Sequence, residues 1–159
     1  MDALSQRAIA KVSGPAWVQL RGQFMQIARL LLAASADADS KLLNSYVKFT
    51  TNSDPNSFVY AVVWLKNSKQ LIAGLALPEE YNAQELGPAL PGTTYKGLNK
   101  YFVVDRGGAV PKGLAEWAGL AYRNALSAEP WAAVAGVVDQ LAAPRETKAQ
   151  GPKLLRGVG

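Results

Sequence analysis

Any chemistry in this sequence has to be carried by carboxylates, amines, hydroxyls and aromatic rings, because histidine and cysteine are both absent from its 159 residues. That absence removes disulfides, thiolate metal sites, cysteine nucleophiles and imidazole acid–base catalysis. Serine and threonine are present, but without a Gly-x-Ser-x-Gly elbow or a lysine marked as a desolvated base. The acids that cluster best are Glu79, Glu80 and Glu85, with Tyr81 among them. Carboxylates alone can hold Mg²⁺ or Ca²⁺, or act as an acid–base pair. Their spacing matches neither Asp-x-Asp nor the EF-hand loop, so a solvated loop is the plainer reading. Gly92-Thr93-Thr94-Tyr95-Lys96-Gly97 has the glycines of a phosphate loop but lacks the Gly-Lys-Ser/Thr ending.

A second group of residues pairs bases with aromatics. Lys48 lies between Tyr46 and Phe49, Lys66 and Lys69 flank a turn, and Tyr95, Lys96, Lys100 and Tyr101 bracket a short β-rich run. Arg106 follows in Asp105-Arg106-Gly107-Gly108, whose glycines suit a tight reversal. On a strand, period two puts Lys48 with Tyr46 and Lys100 with Phe102. Lysines beside exposed rings on a sheet make a stacking platform for single-stranded nucleic acid. The alternative is that Tyr and Phe fill the core while lysine stems cover its edges. The candidate ligand-binding set is therefore Lys48, Tyr95, Lys96, Lys100, Tyr101 and Arg106. No catalytic residue, metal ligand or cofactor is expected.

Charge bears on that choice. The net charge is +5, and residues 144–159 carry +3 of it through Arg145, Lys148, Lys153 and Arg156 against Glu146. Residues 1–143 are then only mildly basic, a modest electrostatic footprint for a nucleic-acid binder. The prolines and glycines between the tail's cations predict a mobile basic tail after a single domain at 1–143. With 49% apolar and 18% charged residues, the chain is neither disordered nor coiled-coil.

The elements that must position these residues follow from periodicity. Residues 2–12 read as a short helix ended by Ser13-Gly14-Pro15. Trp17, Leu20, Phe24, Ile27 and Leu31 recur at three- and four-residue steps, with Val18, Met25 and Leu32 widening the stripe. They predict an amphipathic helix that starts at Pro15 and ends near Asp37. Four strands follow at 46–50, 58–65, 71–77 and 100–104, the second covered on both faces. About twenty residues without clear period, 79–98, separate the last two strands, and loops of that length are often functional. Pro111 opens a helix with Leu114, Trp117, Ala118, Ala121 and Tyr122 on its apolar face, and Pro130 opens another through Trp131 and Leu141. Helix, strands, then helices give an α+β class: an antiparallel sheet of about four strands packed by an N-terminal amphipathic helix and C-terminal helices. Trp17, Phe24, Leu31, Val62, Leu75, Phe102, Trp117 and Tyr122 are the expected core.

Tyr46-Val47-Lys48-Phe49, Gly74-Leu75-Ala76-Leu77-Pro78, and Leu114-Ala115-Glu116-Trp117 with Ala121-Tyr122 together resemble a bacterial family catalogued as domain of unknown function 5655. The resemblance covers residues 43–126. It implies a small α+β module, single or appended to other chains, and carries no catalytic residues with it. The 79–98 loop is longer than the family pattern, and the chain from Pro130 lies outside it.

Two function classes stand at this point. One is a non-catalytic binding or interaction module for an anionic ligand or nucleic acid, with the apolar last helix available for a homodimer or a protein partner. The other is an enzyme that uses Glu79, Glu80 and Glu85, with or without a divalent metal. No apolar stretch reaches the roughly 20 residues that span a bilayer. The N-terminus has no basic region leading into an apolar core, so a cytoplasmic protein without a membrane partner is expected.

Overall fold

The computed structural model of the chain describes residues 4–52 and 57–141, with side chains described through residue 127. The apolar stripe forms α2 (Arg21–Leu32), which buries Phe24, Ile27, Ala28 and Leu31 on one face. The helix starts later than the stripe predicts. Pro15–Trp17 is a 3₁₀ turn, so Trp17 and Leu20 are buried from outside the helix, and Val18 is 63% exposed instead of widening the stripe. Arg21 is the reason the chain turns there. Its Nε donates to Val12 O at 2.8 Å and its Nη2 donates to Ser13 O and Gly14 O, satisfying carbonyls left open at the end of α1 (Gln6–Val12).

The sheet is antiparallel with sequential order: β1 (Asp39–Leu43), β2 (Tyr46–Thr50), β3 (Val59–Trp64), β4 (Gln70–Leu75) and β5 (Lys100–Asp105). The α+β class holds, with five strands where about four are expected. The additional strand is β1. It pairs with β2 through a two-residue turn, Asn44-Ser45, with Asn44 at φ 46°, a conformation asparagine tolerates. Asp39, Ser40 and Lys41 are weak strand formers, and Leu42 is the one buried residue of the strand.

One face of the sheet packs on helices. Val47, Phe49, Val63, Leu75, Phe102 and Val104 meet Phe24 and Leu31 of α2 and Leu114 and Trp117 of α3 (Leu114–Leu141). All eight expected core residues are buried, none more than 8% exposed. Two buried tyrosines brace this layer. Their rings meet edge-on at 5.1 Å, Tyr60 Oη donates to Leu31 O at 2.7 Å, and Tyr122 Oη donates to Thr51 O at 2.7 Å.

The C-terminal helices expected on either side of Pro130 are one element, α3. Residues 124–129 contain no glycine and are mostly good helix formers, so nothing before Pro130 terminates the helix. Two compact units divide the chain: Met1–Ala125, which holds the sheet, and Leu126–Gly159. The proposed partner face around Trp131 and the basic tail at 144–159 lie outside the described side chains. Among the described residues, no helix is long and apolar enough to cross a membrane.

Candidate functional site

Within the unit that holds the sheet, the described helices α1 and α2 and the start of α3 lie on the first face. Residues of the 79–98 loop cover the centre of the other face, and Val62, Trp64, Ile72, Ala76, Leu98 and Tyr101 form a second apolar cluster beneath them. Cross-strand register builds this loop face in rows. Tyr46, Trp64, Ile72 and Val103 are successive partners in one row; Lys41, Lys48, Val62, Gly74 and Tyr101 form the next. Four rings run on from one another: Tyr95 to Tyr46 at 5.8 Å, Tyr46 to Trp64 at 6.4 Å, and Trp64 to Tyr101 at 5.9 Å. The last approach depends on Gly74. A Cβ there would lie 2.6 Å from Tyr101 Cε2 and 3.1 Å from Leu98 Cδ1.

The loop is held at fixed points. The Asn99 side chain accepts from Leu77 N and donates to Leu77 O, at 3.0 and 2.8 Å. Gly87 exchanges two backbone hydrogen bonds with Tyr101, both 2.8 Å. Leu90-Pro91-Gly92-Thr93 closes with Thr93 N donating to Leu90 O, and Gly92 sits at φ 78° after the proline, the pattern of a type II turn. Lys66 Nζ donates to Gly92 O at 3.0 Å, and a Cβ on Gly92 would stand 3.0 Å from that same nitrogen. Between this turn and the ends of β3 and β4 lies a cleft of about 280 Å³, lined by Trp64, Lys66, Gln70, Ile72, Leu90 and Thr93 among others.

The sequence candidates divide between the two faces. Lys48 and Tyr95 lie on the loop face, and exposed Lys96 follows Tyr95 directly. Tyr101 is also there, but it is 4% exposed and its hydroxyl is engaged, accepting from Tyr95 N and donating to Leu98 O. It is a core ring that no base can stack on. Burial raises the phenol pKa of both Tyr95 and Tyr101, and Tyr46 adds to the rise at Tyr95. Lys100 shares a face with Phe102, as period two predicts, and that is the helix face; its Nζ donates to Asn82 Oδ1 at 3.1 Å. Arg106 is tied to the β3–β4 turn, with Nε donating to Ser68 O at 2.7 Å. Lys100 and Arg106 therefore do not converge with Lys48.

Lys41 completes the site and was not legible as a site residue without β1. It is the register partner of Lys48, so two ammonium-bearing side chains stand directly opposite each other on the loop face. Neither is paired with an acid among the described residues. Glu79, Glu80 and Glu85 are exposed, and no group of three acidic side chains among the described residues could hold a metal ion. Glu85 borders a separate hollow of about 410 Å³ against Tyr101 and Val103, where it is the one carboxylate in the lining.

No family model matches the chain, and neither a curated protein nor a solved structure matches it significantly.

Proposed function

We propose that this chain is a non-catalytic binding module that takes an anionic ligand on the loop face of its sheet. The observation that carries the reading is the Lys41–Lys48 pair. Like charges directly opposite each other destabilise a sheet. An anion between them reverses the sign of that interaction. Lys66 at the cleft and Lys96 beyond Tyr95 extend the same sign of charge, with partly exposed Tyr46 and Tyr95 between.

The test uses the full chain with Arg145, Lys148, Lys153 and Arg156 replaced by Gln, so that the tail's own charge cannot bind the probe. Calorimetric titration with inorganic pyrophosphate is expected to show binding. Lys41→Gln with Lys48→Gln should weaken it at least tenfold, whereas Lys100→Gln should leave it unchanged. Binding that disappears once the tail is neutralised, or that Lys100→Gln weakens equally, overturns the reading. A short oligothymidylate tests the nucleic-acid form of the ligand. Binding through phosphates gives a slope of log K against log salt of about −0.7 per phosphate.

A further inference from the structure

The cleft beside Lys66 has a composition of its own. Its apolar lining comes from Trp64, Ile72, Leu90 and Pro91, and its polar lining from Lys66, Asn67, Gln70 and Thr93. Among the described residues, none that lines it is acidic. Trp64 is only 5% exposed, and its indole N–H has no hydrogen-bond partner among the described residues. Buried indoles ordinarily find an acceptor. Lys66 has three N–H donors, of which the bond to Gly92 O uses one. Asn67 has its carbonyl oxygen engaged by Lys69 N at 2.9 Å, which leaves its amide N–H groups as free donors. The Thr93 hydroxyl, by contrast, already donates to Leu90 O at 2.8 Å. The site therefore offers donors and a positive charge together with the apolar surface of Leu90 and Pro91.

Size limits what it can take. At about 280 Å³ the cleft is smaller than the range for drug-sized ligands. With about 30 Å³ for each water-sized group, it holds on the order of ten non-hydrogen atoms. We infer that this cleft binds a small planar acid: a single ring against the accessible Leu90 and Pro91, with a carboxylate or phosphate that accepts hydrogen bonds from Lys66 and the neighbouring amides. The inference rests on the reading of the loop face as anion-binding, and it adds the ligand's body and the place of its charged end.

Two-dimensional ¹H–¹⁵N spectra of the full chain test it. The Trp64 indole resonance is assigned by its loss in Trp64→Phe. Benzoate and phenyl phosphate are titrated to millimolar concentrations beside the neutral isostere benzamide and inorganic phosphate. One of the two ring acids should shift the Trp64 indole resonance, and the tighter of the two identifies the charged group. Benzamide should bind at least tenfold more weakly. Lys66→Gln, an exposed position, should weaken the acid about tenfold, the loss of one charge-assisted hydrogen bond, while its ligand-free spectrum remains that of the folded protein. No shift with either acid overturns the inference, and so does equal binding of benzamide or an unchanged affinity in Lys66→Gln. Pyrophosphate binding that depends on Lys41 and Lys48 would then still stand, so failure here is distinct from failure of the anion-binding reading.

Discussion

Gly74→Ala puts a single methyl group where the loop face has no room. The added carbon would lie 2.6 Å from Tyr101 Cε2, 3.0 Å from Cδ2 and 3.1 Å from Leu98 Cδ1. Tyr101 cannot swing aside freely, because its ring is 4% exposed and its hydroxyl is bonded to Leu98 O and Tyr95 N. Overpacking a filled core typically costs about 1–3 kcal/mol, and replacing a strand glycine by alanine returns roughly 0.5–1 kcal/mol of backbone entropy. The net expectation is a loss of about 1–2 kcal/mol, read as a lower urea midpoint at unchanged slope. The cost should belong to the Tyr101 ring. In a Tyr101→Leu background the same substitution should be neutral or slightly stabilising, giving a coupling of at least about 1 kcal/mol in the double-mutant cycle. Equal costs in both backgrounds, or a Gly74→Ala protein as stable as the parent, would refute the packing described for the loop face.

Three further outcomes follow from the geometry. Burial, with Tyr122 adding to it, holds the Tyr60 phenol pKa well above its ordinary value of 10; the neutral form is the one the fold favours, so this stabilisation is complete below pH 10 and is lost as pH rises beyond it. Tyr60→Phe should cost about 1 kcal/mol at neutral pH through the lost bond to Leu31 O, yet lose stability less steeply than the parent in urea melts above pH 10. Arg21→Met removes three hydrogen bonds to Val12, Ser13 and Gly14 carbonyls at a half-buried position, and should lower stability by about 1–2 kcal/mol, with Arg21→Lys recovering only part of it. Gly92→Ala forces a left-handed residue to carry a Cβ beside Lys66 Nζ; a loss of about 1–2 kcal/mol is expected, whereas an unchanged melting temperature would show that the 90–93 turn has another conformation.

The helix-facing half of the fold could be read from the sequence because its signals are periodic. Phe24, Ile27 and Leu31 mark a helix whatever surrounds them, and the run from Val59 to Trp64 is buried on both faces, as its continuous apolar character predicts. Other features depend on partners distant in sequence. β1 has the composition of a loop and is a strand because β2 pairs with it. The 79–98 loop shows no period because it is fixed by Asn99, Gly87 and a proline–glycine turn, so its packing on Trp64 and Tyr101 is a tertiary fact. The candidate site suffered most from this. Period two assigned Lys48 and Lys100 each to the right local face, but local periodicity does not say whether two strands separated by fifty residues turn those faces the same way. They do not, and the partner of Lys48 is Lys41, on the strand that composition concealed.

Chemical-shift mapping of the full chain with inorganic pyrophosphate tests the central claim most directly. The claim predicts that shifts which saturate with the probe gather on the loop face, at Lys41, Tyr46 and Lys48, while Lys100 and the helix-face residues Phe49 and Val63 stay unmoved. Shifts confined to residues 144–159, or spread equally over Lys48 and Lys100, would contradict it.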